Sequence, residues 1–303
     1  MAIPYFDAHC DTLTRFRSLR RSGETHLDLT RLRTYAPAGQ IMAIFAMPGM
    51  DGEDTYHRIM EHARRELEAN ADVAALCTSA AEADAAAAEG RIALFLAVEG
   101  ANLLGCGVDG LRAAYTEGIR LVTLCWNEDN ALCGAALDIG AGLTRLGERF
   151  VDACWELGVA VDLSHTSENT FWDVVRRATR PVICSHSNAK ALCDHPRNLT
   201  DAQLRALIEN GGYVGLNLCL PFVGLTGDID AMVAHAEHIL ALGAEKNLGL
   251  GTDFDGIEEA PRGIHGVEDM GKLYEALLRR GYTESLVRDI FYNNLRRFME
   301  RAL

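Results

Sequence analysis

The chain has 303 residues, 49% of them hydrophobic, which is enough to bury a full core. Its formal net charge of −14 argues against nucleic acid and anionic membranes as partners. Its nine cysteines contain no Cys-x-x-Cys pair and are typical of reduced thiols, which indicates a cytoplasmic protein. We see neither the apolar run of about 18 residues needed to cross a membrane nor a signal peptide in the first residues, and we therefore expect a soluble protein.

Short apolar runs alternate with helical patterns along the whole chain. The runs predict eight strands, at about 3–8, 40–47, 91–98, 119–126, 158–164, 181–185, 212–218 and 247–252. The helical patterns lie at 53–88 (two helices), 107–117, 145–157, 168–178, 201–210, 229–243, 267–280 and 284–301. Residues 255–266 contain three glycines and a proline, which predicts a loop rather than a linker between domains.

This alternation predicts a single α/β catalytic domain over residues 1–303, built as a (β/α)₈ TIM barrel. The alternative is a doubly wound open sheet. The first strand is not followed by Gly-x-Gly-x-x-Gly, which removes the usual dinucleotide-binding version of that fold.

Polar residues cluster where the predicted strands end. Because catalytic groups of a barrel lie at these positions, the strand ends are the first place to look for a site. They carry His9, Asp11, Glu99, Asp162, His165, His186 and Asp253.

His9 and Asp11 lie two apart and therefore point to the same face of a strand, with Cys10 pointing away. Alone, such a pair is more typical of a solvated turn than of a metal site. Together, the strand ends predict five metal ligands, His9, Asp11, Glu99, His165 and His186. Five is one more than a tetrahedral zinc ion needs, so we expect two Zn²⁺ or similar ions about 3.5–4 Å apart. Glu99 and a hydroxide would bridge them, an arrangement suited to hydrolysis.

Three further residues have open interpretations. Asp162 either orients a histidine ligand or only forms hydrogen bonds at its strand end. His235 and His238, three apart on one predicted helix, are able to chelate a metal, but a solvated helix face is the more typical explanation.

The same residues resemble a known family, the membrane (renal-type) dipeptidases. The resemblance covers residues 7–256 in the family's order and rests on six segments. They are Asp7-Ala8-His9-Cys10-Asp11, Val98-Glu99-Gly100, Val161-Asp162-Leu163-Ser164-His165, Pro181-Val182-Ile183-Cys184-Ser185-His186-Ser187, Pro196-Arg197-Asn198 and Gly251-Thr252-Asp253-Phe254-Asp255-Gly256.

The resemblance implies a dizinc dipeptidase. On the family's pattern His9 and Asp11 bind one zinc, His165 and His186 bind the other, and Glu99 bridges them. Arg197 would bind the C-terminal carboxylate of a dipeptide, and Asp253 would face its free amine and relay a proton. The family also implies a homodimer.

One position departs from the family. Renal-type members carry a histidine after the fourth strand, in a Thr-Leu-Thr-His context, that contacts the substrate carbonyl. Here Thr123-Leu124-Cys125-Trp126-Asn127 places Trp126 at that position. We therefore expect Trp126 to bind substrate and to alter the range of substrates.

The resulting hypothesis is a metal-dependent dipeptidase in which the bridging hydroxide attacks the amide carbonyl. A binuclear amidohydrolase acting on N-acyl amino acids or lactams is the first alternative. A barrel that binds metal without catalysis is the second.

Overall fold

The protein folds as a closed parallel barrel, in a computed structural model that describes residues 2–47, 49–224 and 226–303. Eight strands pair in parallel around a ring, in the order β1-β2-β4-β5-β6-β7-β8-β9, and β9 pairs with β1 to close it. The predicted (β/α)₈ TIM barrel is therefore confirmed. The strands are β1 (Tyr5–Cys10), β2 (Ala38–Phe45), β3 (Ala74–Leu76), β4 (Ile92–Glu99), β5 (Ile119–Thr123), β6 (Ala160–Asp162), β7 (Ile183–Cys184), β8 (Tyr213–Leu216) and β9 (Leu248–Leu250).

Helices surround the ring and connect its strands. The α-helices are α1 (Leu29–Leu32), α2 (Gly52–Ala69), α3 (Ala80–Ala88), α4 (Val108–Thr116), α5 (Arg145–Leu157), α6 (Glu168–Arg177), α7 (Asp201–Glu209), α8 (Leu220–Val223), α9 (Ile229–Ala241), α10 (Met270–Arg279), α11 (Glu284–Arg288) and α12 (Asn294–Ala302). A π-helical turn, Asp289–Asn293, joins α11 to α12 and interrupts the single helix predicted over 284–301. Among the described residues, no helix combines the length and apolar character needed to cross a membrane.

The barrel interior is filled by large apolar side chains at the end opposite to the predicted site. Phe6 and Phe95 stack there, with 5.8 Å between ring centroids, and Phe6 also contacts Tyr292 of the C-terminal segment. Tyr213 packs on Phe298 of α12. The C-terminal segment thus closes the N-terminal end of the barrel, and the strands' carboxyl ends remain available at the other end.

A β-bulge interrupts β1 just before the site. Asp7 pairs with Gln40 and Cys10 with Met42, so an advance of three residues along β1 matches an advance of two residues along β2. Ala8, below the bulge, packs in the interior cluster with Phe95, whereas Cys10, two residues later, packs in the larger outer cluster with Met42. Cys10 therefore lies away from the predicted ligands, as expected.

The strand predictions differ from the structure mainly in length. The strand predicted over 119–126 ends at Thr123, so Trp126 lies in the loop that follows β5. β3 was not predicted, because three residues between two helices give no periodic signal. It pairs with Ile92–Leu94 of β4, outside the eight-stranded ring.

Candidate metal centre and active site

The predicted ligands come together at the carboxyl ends of the barrel strands. His9 lies in β1 and Asp11 directly follows this strand, and the His9 Nε2 atom lies 3.5 Å from Asp11 Oδ2. Glu99 ends β4 and lies between the other side chains. Its Oε2 atom is 3.7 Å from His9 Nε2, and its Oε1 atom is 3.0 Å from His165 Nε2 and 3.6 Å from His186 Nε2. The two carboxylate oxygens of Glu99 therefore face two different groups of histidines.

Backbone hydrogen bonds hold the first of these groups in place. Asp11 N–H donates to the carbonyl oxygen of Phe254, and Asp253 N–H donates to that of His9. Just below them, the buried Asp7 carboxylate accepts hydrogen bonds from the backbone and the hydroxyl of Thr252. The ends of β1 and β9 are thus joined on both sides of the cluster.

Strained backbone is concentrated around the site. Five non-glycine residues among those described have positive φ, and His165 (70°), Asp253 (62°) and Asp255 (67°) are three of them. Such conformations cost about 1–3 kcal/mol each and persist where the surrounding structure enforces them. Gly256 adds a steric requirement, because a Cβ atom there would lie 2.1 Å from Asp11 Oδ2 and 2.5 Å from Asp253 Oδ1.

The chemistry of this donor set fits a divalent cation. Both ring nitrogens of His9 and the Oδ1 atom of Asp11 are buried without a hydrogen-bond partner. Burial lowers the pKa of His9, but the carboxylates of Glu99, Asp11 and Asp253 outweigh it and raise that pKa to about 10. These carboxylates therefore favour positive charge at this position, which a metal ion would supply.

The second histidine group is neutral, as metal ligation requires. Burial, with the positive charges of Arg197 and His9, lowers the pKa of both His165 and His186 well below its usual value. Their Nε2 atoms lie 2.9 Å apart. Two ligands at about 2.0–2.1 Å from one tetrahedral zinc lie only slightly farther apart, so a single ion fits between them.

Both histidines are oriented by neighbours that sequence reasoning missed. Asn127 Oδ1 lies 2.8 Å from His165 Nδ1, and Ser185 Oγ lies 2.8 Å from His186 Nδ1. The Ser185 hydroxyl donates to Asp162 Oδ2 at 2.6 Å, so Asp162 reaches His186 through it. Asp162 also accepts hydrogen bonds from Thr123 and Ser164, so its contacts are not limited to strand-end hydrogen bonds but include the link to His186 through Ser185. The sequence offered one signal for these two roles. Asn127 and Ser185 are the chain neighbours of the motif residues Trp126 and His186.

Arg197 and Asp253 lie beside the cluster, in the same cavity. Arg197 is 4% exposed, and its Nε and Nη2 atoms have no hydrogen-bond partner. Asp253 Oδ2 accepts a hydrogen bond from Asn217 Nδ2, and its Oδ1 atom is 3.8 Å from His9 Nε2. Burial raises the pKa of Asp253 to about 6, although the charges of His9 and Arg197 and the Asn217 hydrogen bond oppose the increase.

The cavity has a volume of about 410 Å³ and is lined by both apolar and charged residues. Trp126 lines it between Phe45 and His165, with ring centroids 4.9 Å and 6.1 Å away. The predicted substrate-binding residues Trp126, Arg197 and Asp253 thus border one space together with Glu99 and His165.

His235 and His238 take no part in this centre. His235 is 1% exposed, so the predicted solvated face is wrong for it. Its Nδ1 atom accepts the Ala189 N–H and its Nε2 atom donates to the Val223 carbonyl. His238 is partly exposed and pairs with Asp201 at 2.7 Å. Helical spacing alone did not distinguish a buried histidine with two backbone partners from a solvated one.

Comparison with known proteins agrees with this geometry. Residues 1–302 match the family model of the membrane dipeptidases, peptidase family M19. The chain belongs to the membrane dipeptidase family. It is therefore a peptide-bond hydrolase, a metal-dependent dipeptidase of the M19 type, and not a barrel that binds metal without catalysis.

Related proteins support this membership along the whole chain. A protein of Klebsiella pneumoniae described as an uncharacterized protein in the pqqA 5′ region is 33% identical over 245 residues, covering 75% of this chain and 88% of its own length. The metallopeptidase of Rhodobacter sphaeroides, crystallised with a phosphinate mimic of the dipeptide L-Ala-D-Ala, is 28% identical with a TM-score of 0.91, covering all of both chains. The M19 metallopeptidase called dipeptidase AC is 30% identical with a TM-score of 0.91, covering all of this chain and 99% of its own.

Proposed function

We propose that the protein is a dizinc dipeptidase with one ion at His9 and Asp11, a second at His165 and His186, and Glu99 as the bridge. The observation that carries this proposal is the orientation of the Glu99 carboxylate, whose Oε1 and Oε2 atoms face different histidine groups. When bound, two such ions supply an acidified bridging hydroxide as nucleophile and polarise the amide carbonyl.

Arg197 selects a substrate with a free C-terminus. Two of its guanidinium nitrogens are buried without partners, which is costly unless a ligand accepts their hydrogen bonds. A carboxylate matches the planar guanidinium in charge and in geometry. The carboxylate of a dipeptide fits this position. The amide bond of the dipeptide would then lie near Glu99 and His165, which line the same cavity.

Asp253 has two roles in this proposal. Its carboxylate binds the free amine of the dipeptide, and it passes a proton to the leaving amine when the amide bond breaks. A pKa of about 6 suits the second role, because a group with a pKa near the working pH both accepts and donates protons readily. An N-acyl amino acid or a lactam lacks the free amine, so neither would use this contact.

The rest of the proposal concerns the partner, the assembly, the domain organisation and the location of the protein. The dipeptide is the expected partner, and a homodimer and a single domain over residues 1–303 remain predictions. None of the nine cysteines, all of which lie among the described residues, forms a disulfide, which supports a reducing, cytoplasmic location.

Two variants test the proposal. Glu99→Gln is expected to reduce bound zinc below two per chain and to lower kcat at least about 1,000-fold, because it removes the bridging charge. Asp253→Asn is expected to abolish turnover while two zinc ions remain bound. Zinc content by mass spectrometry and hydrolysis of a dipeptide panel are measured together. The matched control is Asp109→Asn, whose carboxylate is fully exposed on α4.

The results distinguish the alternatives. Full dipeptidase activity in Asp253→Asn would contradict the role of this residue, and two zinc ions in Glu99→Gln would contradict the bridge. Faster hydrolysis of N-acetyl amino acids than of dipeptides would instead support the amidohydrolase alternative.

A further inference from the structure

Six of the apolar residues that line the active-site cavity form what we call the apolar wall. They are Phe16, Phe45, Met47, Met50, Ile59 and Trp126. Phe45 ends β2, Met47 and Met50 follow it, and Ile59 is part of α2. The same cavity is also lined by charged residues, among them Asp11, Glu99, Arg197 and Asp253, and Phe45 is the direct neighbour of Glu99 on the adjacent strand.

Three residues of the apolar wall have exposed side chains, although large apolar side chains are mostly buried in this protein. Phe16 is 42% exposed, Met47 58% and Met50 48%. Across the described residues only seven large apolar side chains are exposed, and these three share one cavity. Clustered apolar exposure beside a charged centre is a feature of ligand-binding grooves.

The order of the strands shows which part of a dipeptide would reach the wall. Arg197 lies after β7 and Asp253 after β9, and β9 is followed around the ring by β1 and β2. A dipeptide with its carboxylate on Arg197 and its amine on Asp253 therefore has its amine end next to the loops after β1 and β2. Phe16, Phe45, Met47 and Met50 belong to those loops or to the strand end that precedes them.

We infer that the apolar wall binds the side chain of the N-terminal residue, so that the enzyme prefers dipeptides with a large apolar residue such as leucine at that position. This inference rests on the proposed function, because Arg197 and Asp253 define the direction of the substrate. Contact with the wall removes apolar surface of both partners from water. A carboxylate side chain at the same position would lose hydration beside the apolar wall.

The test compares kcat/KM for pairs of dipeptides that differ at one residue. Glycine as the constant residue avoids a second stereocentre. We expect Leu-Gly to exceed Ala-Gly by at least about tenfold, and Glu-Gly to be poorer than Ala-Gly. Gly-L-Leu and Gly-D-Leu, each compared with the corresponding Gly-Ala, report on the C-terminal side chain in the same way.

Variants of the wall connect this preference to the structure. Met47→Ala and Met50→Ala change exposed side chains and should not disturb folding. Each is expected to lower the ratio of Leu-Gly to Ala-Gly by about three- to tenfold. The matched control is Leu76→Ala, which changes a 38% exposed side chain in β3 at the opposite end of the barrel and should leave the ratio unchanged.

Three results would overturn the inference. The first is a ratio of kcat/KM for Leu-Gly to that for Ala-Gly near one in the unmodified enzyme. The second is an equal loss of kcat/KM on both substrates in the wall variants. The third is a change of kcat/KM confined to the Gly-Leu series, which would assign the wall to the C-terminal side chain. If no dipeptide is hydrolysed, the proposed function fails as well. Hydrolysis without the preference removes only the inference about the wall.

Discussion

The Nδ1 atom of His165 lies 2.8 Å from the side-chain oxygen of Asn127, so Asn127 accepts the Nδ1 proton and leaves the lone pair on Nε2. The Nε2 atom is the one that faces Glu99 and His186. Asn127 is thus a positioning residue for the proposed metal ligand His165. The backbone of His165 is at the same time held in a left-handed conformation.

Asn127→Ala is expected to weaken zinc binding by about 10–100-fold, which is typical for loss of a hydrogen-bond partner of a histidine ligand. Asn127→Asp should retain most of the affinity, because its carboxylate still accepts the Nδ1 proton. Competition with a chelator measures the affinity without relying on turnover. Equal affinity in Asn127→Ala and in the unmodified protein would exclude the positioning role.

Arg197→Met should lower kcat/KM for dipeptides by an amount that corresponds to a loss of about 2–4 kcal/mol of transition-state stabilisation. The reason is that the substrate carboxylate would be buried without a partner. The unmodified enzyme should also discriminate strongly between a dipeptide and its C-terminal amide. We expect the variant to lose that discrimination. Arg205→Lys, on the exposed face of α7, is the control, and continued discrimination in Arg197→Met would contradict carboxylate recognition.

Gly256→Ala should inactivate the enzyme with little loss of stability. The added methyl group would overlap Asp11 Oδ2 and Asp253 Oδ1, so both carboxylates would have to move. Gly23→Ala is a matched control, since a Cβ atom at Gly23 has no neighbour within 4 Å. Activity and melting temperature are measured on both variants. An active Gly256→Ala enzyme would show that the two carboxylates tolerate displacement.

His235 should make the fold sensitive to acid. Burial lowers its pKa, the hydrogen bond to Val223 opposes this, and nearby His238 lowers it further. The unfolded chain binds a proton near pH 6.5, whereas in the folded protein a proton on Nδ1 would confront the Ala189 N–H. The stability contributed by neutral His235 is therefore present above pH 6.5 and is lost as the pH falls below that value, by up to about 1.4 kcal/mol per pH unit.

Urea midpoints at pH 7.5 and 5.5 measure this effect. His235→Gln should show a smaller decrease between the two pH values than the unmodified protein. His57→Gln, in which the replaced imidazole is largely exposed on α2, should show the same decrease as the unmodified protein. Equal decreases in all three proteins would assign the acid sensitivity to other groups.

The sequence predicted the barrel and the site from different signals. Eight buried runs alternating with helices were sufficient for the fold, and polar residues after those runs identified His9, Glu99 and His186 together. In the structure one ligand atom of each of these three residues lies within 4.8 Å of the other two. The fold is confirmed, and these residues lie together because parallel strands end at the same mouth of the barrel. Their role as metal ligands stays a prediction.

The remaining features depend on distances that one-dimensional patterns do not contain. Asn127 and Ser185 act through side-chain hydrogen bonds between different loops, and His235 is buried by α8 and the loop at Ala189 rather than by its own helix pattern. The end of β5 was placed three residues too late because Leu124 and Cys125 are as apolar as the strand itself.

The bulge in β1 changes which residues of this short strand point into the barrel. Below it, Phe6 and Ala8 belong to the barrel interior; above it, the phase has shifted so that His9 and Asp11 face the mouth and Cys10 does not. Without the bulge, an alternation that keeps Phe6 and Ala8 in the interior would place Cys10 there as well and would turn His9 and Asp11 away from the mouth. The extra residue in β1 therefore allows a strand that packs Phe6 and Ala8 into the barrel also to present His9 and Asp11 at its mouth.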